Sequence, residues 1–395
     1  MGQRPTPQQI PVVVLAGFLG SGKTTLLNHL LHRSGGSRIG AVVNDFGSIE
    51  IDAMAVAGAL GDSTVSLGNG CLCCAVDASE LDGYLARLAR PEAGIDVIVI
   101  EASGLAEPEE LVRMLLASEE PGVVYGGLVE VVDAAEFDDT RARHPEIDRH
   151  LALADLVVVN KTDRAPDAER VLALVRSLAD GAAVVPAAYG RIDPEFLYDC
   201  RPSEERVGQL SFDDLHDHAE SGESGESGES GESGESGESG ESGACGEGGA
   251  RPGHLHAAYD TLSFVSDLPL DPRRLMRFLD SRPEGLYRIK GYVDFGPYDT
   301  RNRYAVHAVG RFLRFYPEPW TGPGATDTAD ATGVRRTQLV LIGTGIDTAA
   351  LREGLDACRR DTDAPPADEH GMWGVLRYVP DGEEPDGAEP PDTTS

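Results

Sequence analysis

A chain of 395 residues exceeds one ordinary domain, so two domains with linkers or tails are expected. Its 34 basic and 67 acidic residues leave a formal charge of −33, which repels phosphodiester backbones and anionic lipid surfaces and argues against nucleic acid as a partner. No apolar run reaches the ~18 residues of a membrane helix, residues 1–9 lack a basic-then-apolar leader, and the cysteines do not form a spaced disulfide framework, so no membrane is expected and the place expected is the reducing cytoplasm.

From residue 11 to about 189, short β-branched runs alternate with helical patterns, which predicts an α/β fold with a mostly parallel sheet flanked by helices. Strands are predicted at 12–15, 39–43, 64–67, 97–100, 127–132, 156–159 and 183–185. Their near-continuous apolar character implies burial on both faces. Between His216 and His256 the composition collapses to eight tandem Glu-Ser-Gly triplets with nothing apolar to bury, which predicts a disordered linker. A flexible stretch of that length has an end-to-end distance of about 25–30 Å. Beyond it, strands at 259–265, 286–295, 304–309 and 338–342 mix with helices at 272–279 and 347–358, the pattern of a small α+β domain. The expected organisation is therefore 1–210 for the first domain, 211–256 for the linker, 257–380 for the second domain and 381–395 for a disordered acidic tail.

Gly17-Phe-Leu-Gly20-Ser21-Gly22-Lys23-Thr24-Thr25 follows the first strand and opens a helical run, the context a P-loop requires. Its glycines let backbone N–H groups close around a β-phosphate, Lys23 reaches the β/γ-oxygens and Thr24 can ligate Mg²⁺. Asn160-Lys161-Thr162-Asp163 follows the strand at 156–159. Asp163 can accept hydrogen bonds from guanine N1–H and the exocyclic amine, whereas adenine offers no matching donors, so the pair of motifs points to GTP. The strand at 97–100 ends in Glu101-Ala102-Ser103-Gly104, and Glu101 is the candidate for holding Mg²⁺ or its water shell, the alternative being a cap on the next helix. Asp45, in Asn44-Asp45-Phe46-Gly47, is a candidate water-positioning or Mg²⁺-sensing acid, the alternative being a plain loop.

Gly68-Asn69-Gly70-Cys71-Leu72-Cys73-Cys74 sets three thiols within four residues. Thiolates favour Zn²⁺ or Cu(I) over hard cations, and three protein ligands leave the fourth tetrahedral position open for transfer to a recipient. His216, His218, His254, His256 and Cys245 flank or adjoin the acidic repeat and read more simply as solvated linker residues.

Taken with Ile51-Asp52 and Arg288-Ile289-Lys290-Gly291, these motifs resemble those of the CobW-type GTPases, relatives of the nickel-insertion GTPases for urease and hydrogenase. The resemblance implies a GTP-hydrolysing metallochaperone that loads Zn²⁺, or Co²⁺ in some members, and passes it to a client protein, with a homodimer as one open arrangement. The chain departs from the family in its Glu-Ser-Gly linker, where many members are His-rich, and in Asp45 and Ser48, where many carry Glu. The competing expectation is a regulatory GTPase switch whose cysteines are structural or redox-sensing.

Overall fold

The computed structural model describes residues 9–34, 36–43, 65–66, 78–104, 107–199, 259–320, 335–360 and 370–380. All of these fall in one compact unit that holds two sheets. The predicted linker and acidic tail lie outside the described residues, as do His216, His218, Cys245, His254 and His256.

The first sheet has seven parallel strands: β1 Ile10–Ala16, β2 Ile39–Val43, β3 Val65–Ser66, β4 Val97–Glu101, β5 Val123–Asp133, β6 Leu156–Asn160 and β7 Ala183–Pro186, in the order β3-β2-β4-β1-β5-β6-β7. Parallel strands need helical crossovers, and these put helices on both faces. They are α1 Lys23–His32, α2 Ala78–Leu88, α3 Pro108–Leu116, α4 Phe137–Arg143, α5 Ile147–Leu153, α6 Ala168–Leu178 and the short α7 Pro194–Leu197. Val13 and Leu15 of β1 pack with Leu26, Leu27 and Leu30 of α1 on one face. Val12 and Val14 pack with α2 and α3 on the other. The alternation explains why these strands read as unbroken apolar runs.

The second sheet is antiparallel, in the order β11-β10-β9-β12-β8, built from β8 Asp260–Ser266, β9 Leu286–Val293, β10 Asn302–Val309, β11 Phe312–Pro319 and β12 Thr337–Gly343. Helices α8 Pro272–Asp280, α9 Thr348–Asp356 and α10 Trp373–Leu376 contribute to the core on one of its faces, with Leu275, Leu279, Leu351, Leu355 and Val375 buried against Phe264, Ile289 and Phe315. Strand β11 and helix α10 escape the sequence patterns. Pro317 and Pro319 interrupt the strand signal, yet β11 is an edge strand, where a missing N–H costs no ladder bond.

The other face of this sheet shares a core with the first. Tyr287, Val309 and Ile342 lie in the same buried cluster as Leu26, Val129 and Phe196, and the rings of Tyr287 and Phe196 stack 5.1 Å apart. This contact explains why β5 starts at Val123 and not at 127. Its Gly126-Gly127 pair reads as a break, but Gly127 has φ +113 and a Cβ there would sit 2.7 Å from Val309. Polar contacts register the two sheets. The half-buried Asp155 carboxylate accepts the Tyr125 hydroxyl at 2.6 Å, the Leu128 N–H at 2.9 Å and the Arg311 N–H, while Gly310, at φ +50, leaves no room for a Cβ against it. His307 Nε2–H donates to the Tyr125 carbonyl at 2.9 Å, and burial pushes the ring down to about 4, so the imidazole is neutral at pH 7.

Asp155→Ala leaves the Tyr125 hydroxyl and the Leu128 N–H without this acceptor at the junction of the two sheets. A loss of roughly 2–4 kcal/mol in urea denaturation is expected. A change under about 0.5 kcal/mol, the scale of an ordinary surface substitution, would show that the junction does not rest on this carboxylate.

Candidate functional site

β1 delivers the chain into the loop 17–22 at the carboxyl edge of the sheet, and α1 leaves from it. Three backbone positions there admit only glycine. At Gly17, φ +137, a Cβ would fall 2.3 Å from the Val131 carbonyl; at Gly22, φ +105, it would fall 2.2 Å from Asn160 Nδ2. At Gly104 it would meet the Leu19 N–H at 2.7 Å. Gly20, φ +79, faces open space, and Leu19 is 82% exposed. The first turn of α1 carries no acidic residue, so its positive end is left for an anion.

Lys23 is buried at the start of α1 and donates from Nζ to the carbonyls of Gly17 at 2.8 Å and Phe18 at 3.1 Å. Its ammonium thus lies under the loop, ready to exchange carbonyls for phosphate oxygens. Thr24 donates its hydroxyl to Glu101 Oε1 at 2.7 Å, and Thr25 is exposed. Glu101 is the last residue of β4 and is nearly buried, and its carboxylate turns to Thr24, whereas α3 begins only at Pro108. A hydroxyl and a buried carboxylate in contact form the hard-oxygen donor set that Mg²⁺ prefers.

The second motif is bound to the first. The buried Asn160 donates from Nδ2 to the Ser21 carbonyl at 3.0 Å and accepts the Gly190 N–H at 2.9 Å. Lys161, at φ 58, donates from Nζ to the Gly20 carbonyl at 2.7 Å and pairs with Asp133 Oδ2 at 2.6 Å. The Lys161 stem therefore spans from the end of β6 to the phosphate loop. Asp163 is exposed and makes no hydrogen bond among the described residues.

Two acids here were not singled out in the sequence. Asp133 ends β5 and anchors Lys161; its signal is an acid closing an apolar strand, the same signal that points to Glu101. Glu130 lies opposite Ala16 in the β1–β5 register, at the floor of the P-loop, fully buried, with neither carboxylate oxygen hydrogen-bonded. Burial pushes its carboxyl up to about 8, against the pull of Lys23.

Asn44, Asp45, Cys71, Cys73 and Cys74 lie outside the described residues. Their neighbours in sequence are placed: Val43, the residue before Asn44, pairs in register with Glu101, and Ser66 pairs with Val43. Among the described residues no group of three or more His, Cys, Asp or Glu side chains could hold a metal ion, and no helix is long and apolar enough to cross a membrane.

The family described as CobW/HypB/UreG, nucleotide-binding domain, matches residues 11–186, and the cobalamin synthesis protein cobW C-terminal domain matches residues 259–359. The chain is 31% identical over 194 residues to a zinc chaperone YjiA of Escherichia coli, covering 48% of this chain and 61% of the relative. It is 35% identical over 214 residues to a zinc chaperone CobW of Pseudomonas aeruginosa, covering 46% and 56%. It is 32% identical over 200 residues to a zinc-regulated GTPase metalloprotein activator 1 of Schizosaccharomyces pombe, covering 48% and 48%. The chain thus spans about half to three-fifths of the length of these curated relatives.

Glu130 makes the stability pH-dependent with a defined sign. Between the ordinary value of 4.5 and about 8 the folded chain holds a proton that the unfolded chain has lost, so stability falls as pH rises through that window. Glu130→Gln removes the titration. Thermal melts from pH 5 to 8.5 are expected to show a flatter profile for the variant and a higher Tm than the parent at pH 8; parallel profiles would mean that Glu130 is ionised in the fold.

Proposed function

The chain belongs to the family that joins a CobW/HypB/UreG nucleotide-binding domain to a CobW C-terminal domain, and from that premise we propose that it is a GTP-hydrolysing metallochaperone that carries Zn²⁺ on Cys71, Cys73 and Cys74 and passes it to a client protein. The observation that carries the nucleotide half is the pair of side chains, Asn160 and Lys161, that hydrogen-bond the P-loop directly. A base read by Asp163 and a triphosphate held at residues 17–25 then belong to one ligand, and the hydrogen-bonding pattern of Asp163 selects guanine. The metal half is supported by the three thiols and by relatives named zinc chaperones.

In this reading Lys23 turns from the Gly17 and Phe18 carbonyls to the β/γ-oxygens, and the N–H groups of the loop and of the α1 terminus hold the phosphates. Thr24 and Glu101 fit Mg²⁺, which when bound neutralises charge on the phosphate oxygens. Asp45 is the proposed water-positioning acid. A tightly held zinc is worth about 10–16 kcal/mol, so unloading proceeds by ligand exchange with the client and not by simple dissociation. The nucleotide's part is to bias that exchange. The segment holding Asn44 to Asp52 follows β2 directly, and the cysteines follow β3, next to it in the sheet. Co²⁺ is the alternative cargo, disfavoured by a thiolate set.

Metal analysis of the purified chain, with and without a nonhydrolysable GTP analogue, tests the cargo. Stoichiometric zinc is expected in the parent and its loss in the Cys71→Ser, Cys73→Ser, Cys74→Ser triple variant; tight zinc retained by the triple variant removes the cysteine assignment. If GTP turnover is indifferent to Zn²⁺ and Co²⁺, a regulatory switch describes the protein better. For the base, Asp163→Asn presents an amide donor where guanine also donates. GTP affinity should fall about 100-fold or more while xanthosine triphosphate, with a carbonyl at that edge, gains. Unchanged GTP affinity would discard Asp163 as the reader.

A further inference from the structure

Among the described residues only Lys161, Asp180 and Tyr189 adopt positive φ without being glycine, and Lys161 and Tyr189 lie on the two loops bound to Asn160. Tyr189 belongs to the turn that follows β7. Arg191 N–H bonds the Ala188 carbonyl at 3.0 Å, and the two central residues have φ 55 at Tyr189 and φ 66 at Gly190, the positive pair of a type I′ turn. Such turns favour Asn, Asp or Gly, and a bulky aromatic side chain is out of place there on conformational grounds alone. Gly190 has its own reason, since a Cβ would come 2.8 Å from the Leu26 N–H. Tyr189 shows no such packing reason among the described residues: it is 67% exposed, and the Arg191 guanidinium lies 6.0 Å from its ring centroid.

The turn is nevertheless held firmly against the base-reading motif. Ala187 N–H bonds the Val159 carbonyl at 2.8 Å, and the Ala187 carbonyl accepts both the N–H of Thr162 at 3.1 Å and its hydroxyl at 2.9 Å. With Asn160 Oδ1 on the Gly190 N–H, four bonds tie residues 187–190 to 159–162. An exposed aromatic ring kept on a strained backbone, bolted beside a carboxylate free to read a base, is the arrangement expected of a stacking wall.

We propose that Tyr189 stacks on one face of the guanine that Asp163 reads at its edge. The inference rests on the GTP reading above and adds a residue to it. Strain at Tyr189 is then the cost of presenting a flat apolar surface to a purine, whose π-face accepts it whatever its edge groups are.

Calorimetric titration of GDP into the full chain tests this with three variants, Tyr189→Asn, Tyr189→Phe and Tyr189→Trp. Asn suits φ near +55, so the first variant is expected to melt no lower than the parent while its GDP affinity falls on the order of tenfold or more, the scale of a lost aromatic–base stack. Phe and Trp retain the ring and should stay within about threefold of the parent. Inorganic tripolyphosphate, which has phosphates and no base, should bind the parent and Tyr189→Asn equally. Full GDP affinity in Tyr189→Asn, or an equal loss in Tyr189→Phe, overturns the stacking role; so does an equal loss for tripolyphosphate. Failure of the parent itself to bind GDP would instead strike the GTP reading.

Discussion

The side-chain amide of Asn160 donates to the Ser21 carbonyl and accepts the Gly190 N–H, so one buried group spans the P-loop, the end of β6 and the turn after β7. Both bonds are made by a residue with 2% exposure, where an unmet donor or acceptor costs about 1–3 kcal/mol. Gly22 must lack a side chain because Asn160 Nδ2 fills the space a Cβ would take. Phosphate cradle and base-reading loop are therefore built around the same amide, and the positions of Lys161 and Asp163 follow from it. Lys161 adds a second tie through Gly20, with Asp133 setting its direction.

Charge at the floor of the loop is arranged with equal economy. Lys23 supplies a cation and the α1 terminus a positive dipole end, while Glu101 faces Thr24 on the β4 side. Glu130 lies beneath, opposite Ala16, and its full burial favours the protonated form near neutral pH. A neutral carboxyl there leaves the Lys23 charge undiminished for a ligand above it.

Much of this was legible in the sequence because it depends on local pattern. Strand ends followed by Gly-x-x-x-x-Gly-Lys-Thr, by Asn-Lys-x-Asp and by Glu-x-x-Gly locate the loops, and uniform apolar runs identify strands covered on both faces. What escaped depends on partners distant in sequence. Gly126-Gly127 reads as a break until Val309 is seen against it, and Pro317 and Pro319 hide β11 until its edge position is known. Glu130 looks like an ordinary acid among valines; only the register beside Ala16 reveals its setting. Tyr189 carries no motif at all, and its interest comes from a backbone angle.

The core shared by the two sheets has a consequence for biosynthesis. About 180 residues separate Gly127 from Val309, so at roughly 5–20 residues per second the ribosome supplies the second surface some 10–40 s after the first. During that interval Val129, Leu26 and the glycine step of β5 lack the cover that Tyr287, Val309 and Ile342 later give. Until the strands that carry those three residues leave the exit tunnel, the nascent N-terminal half holds an apolar seam without its cover.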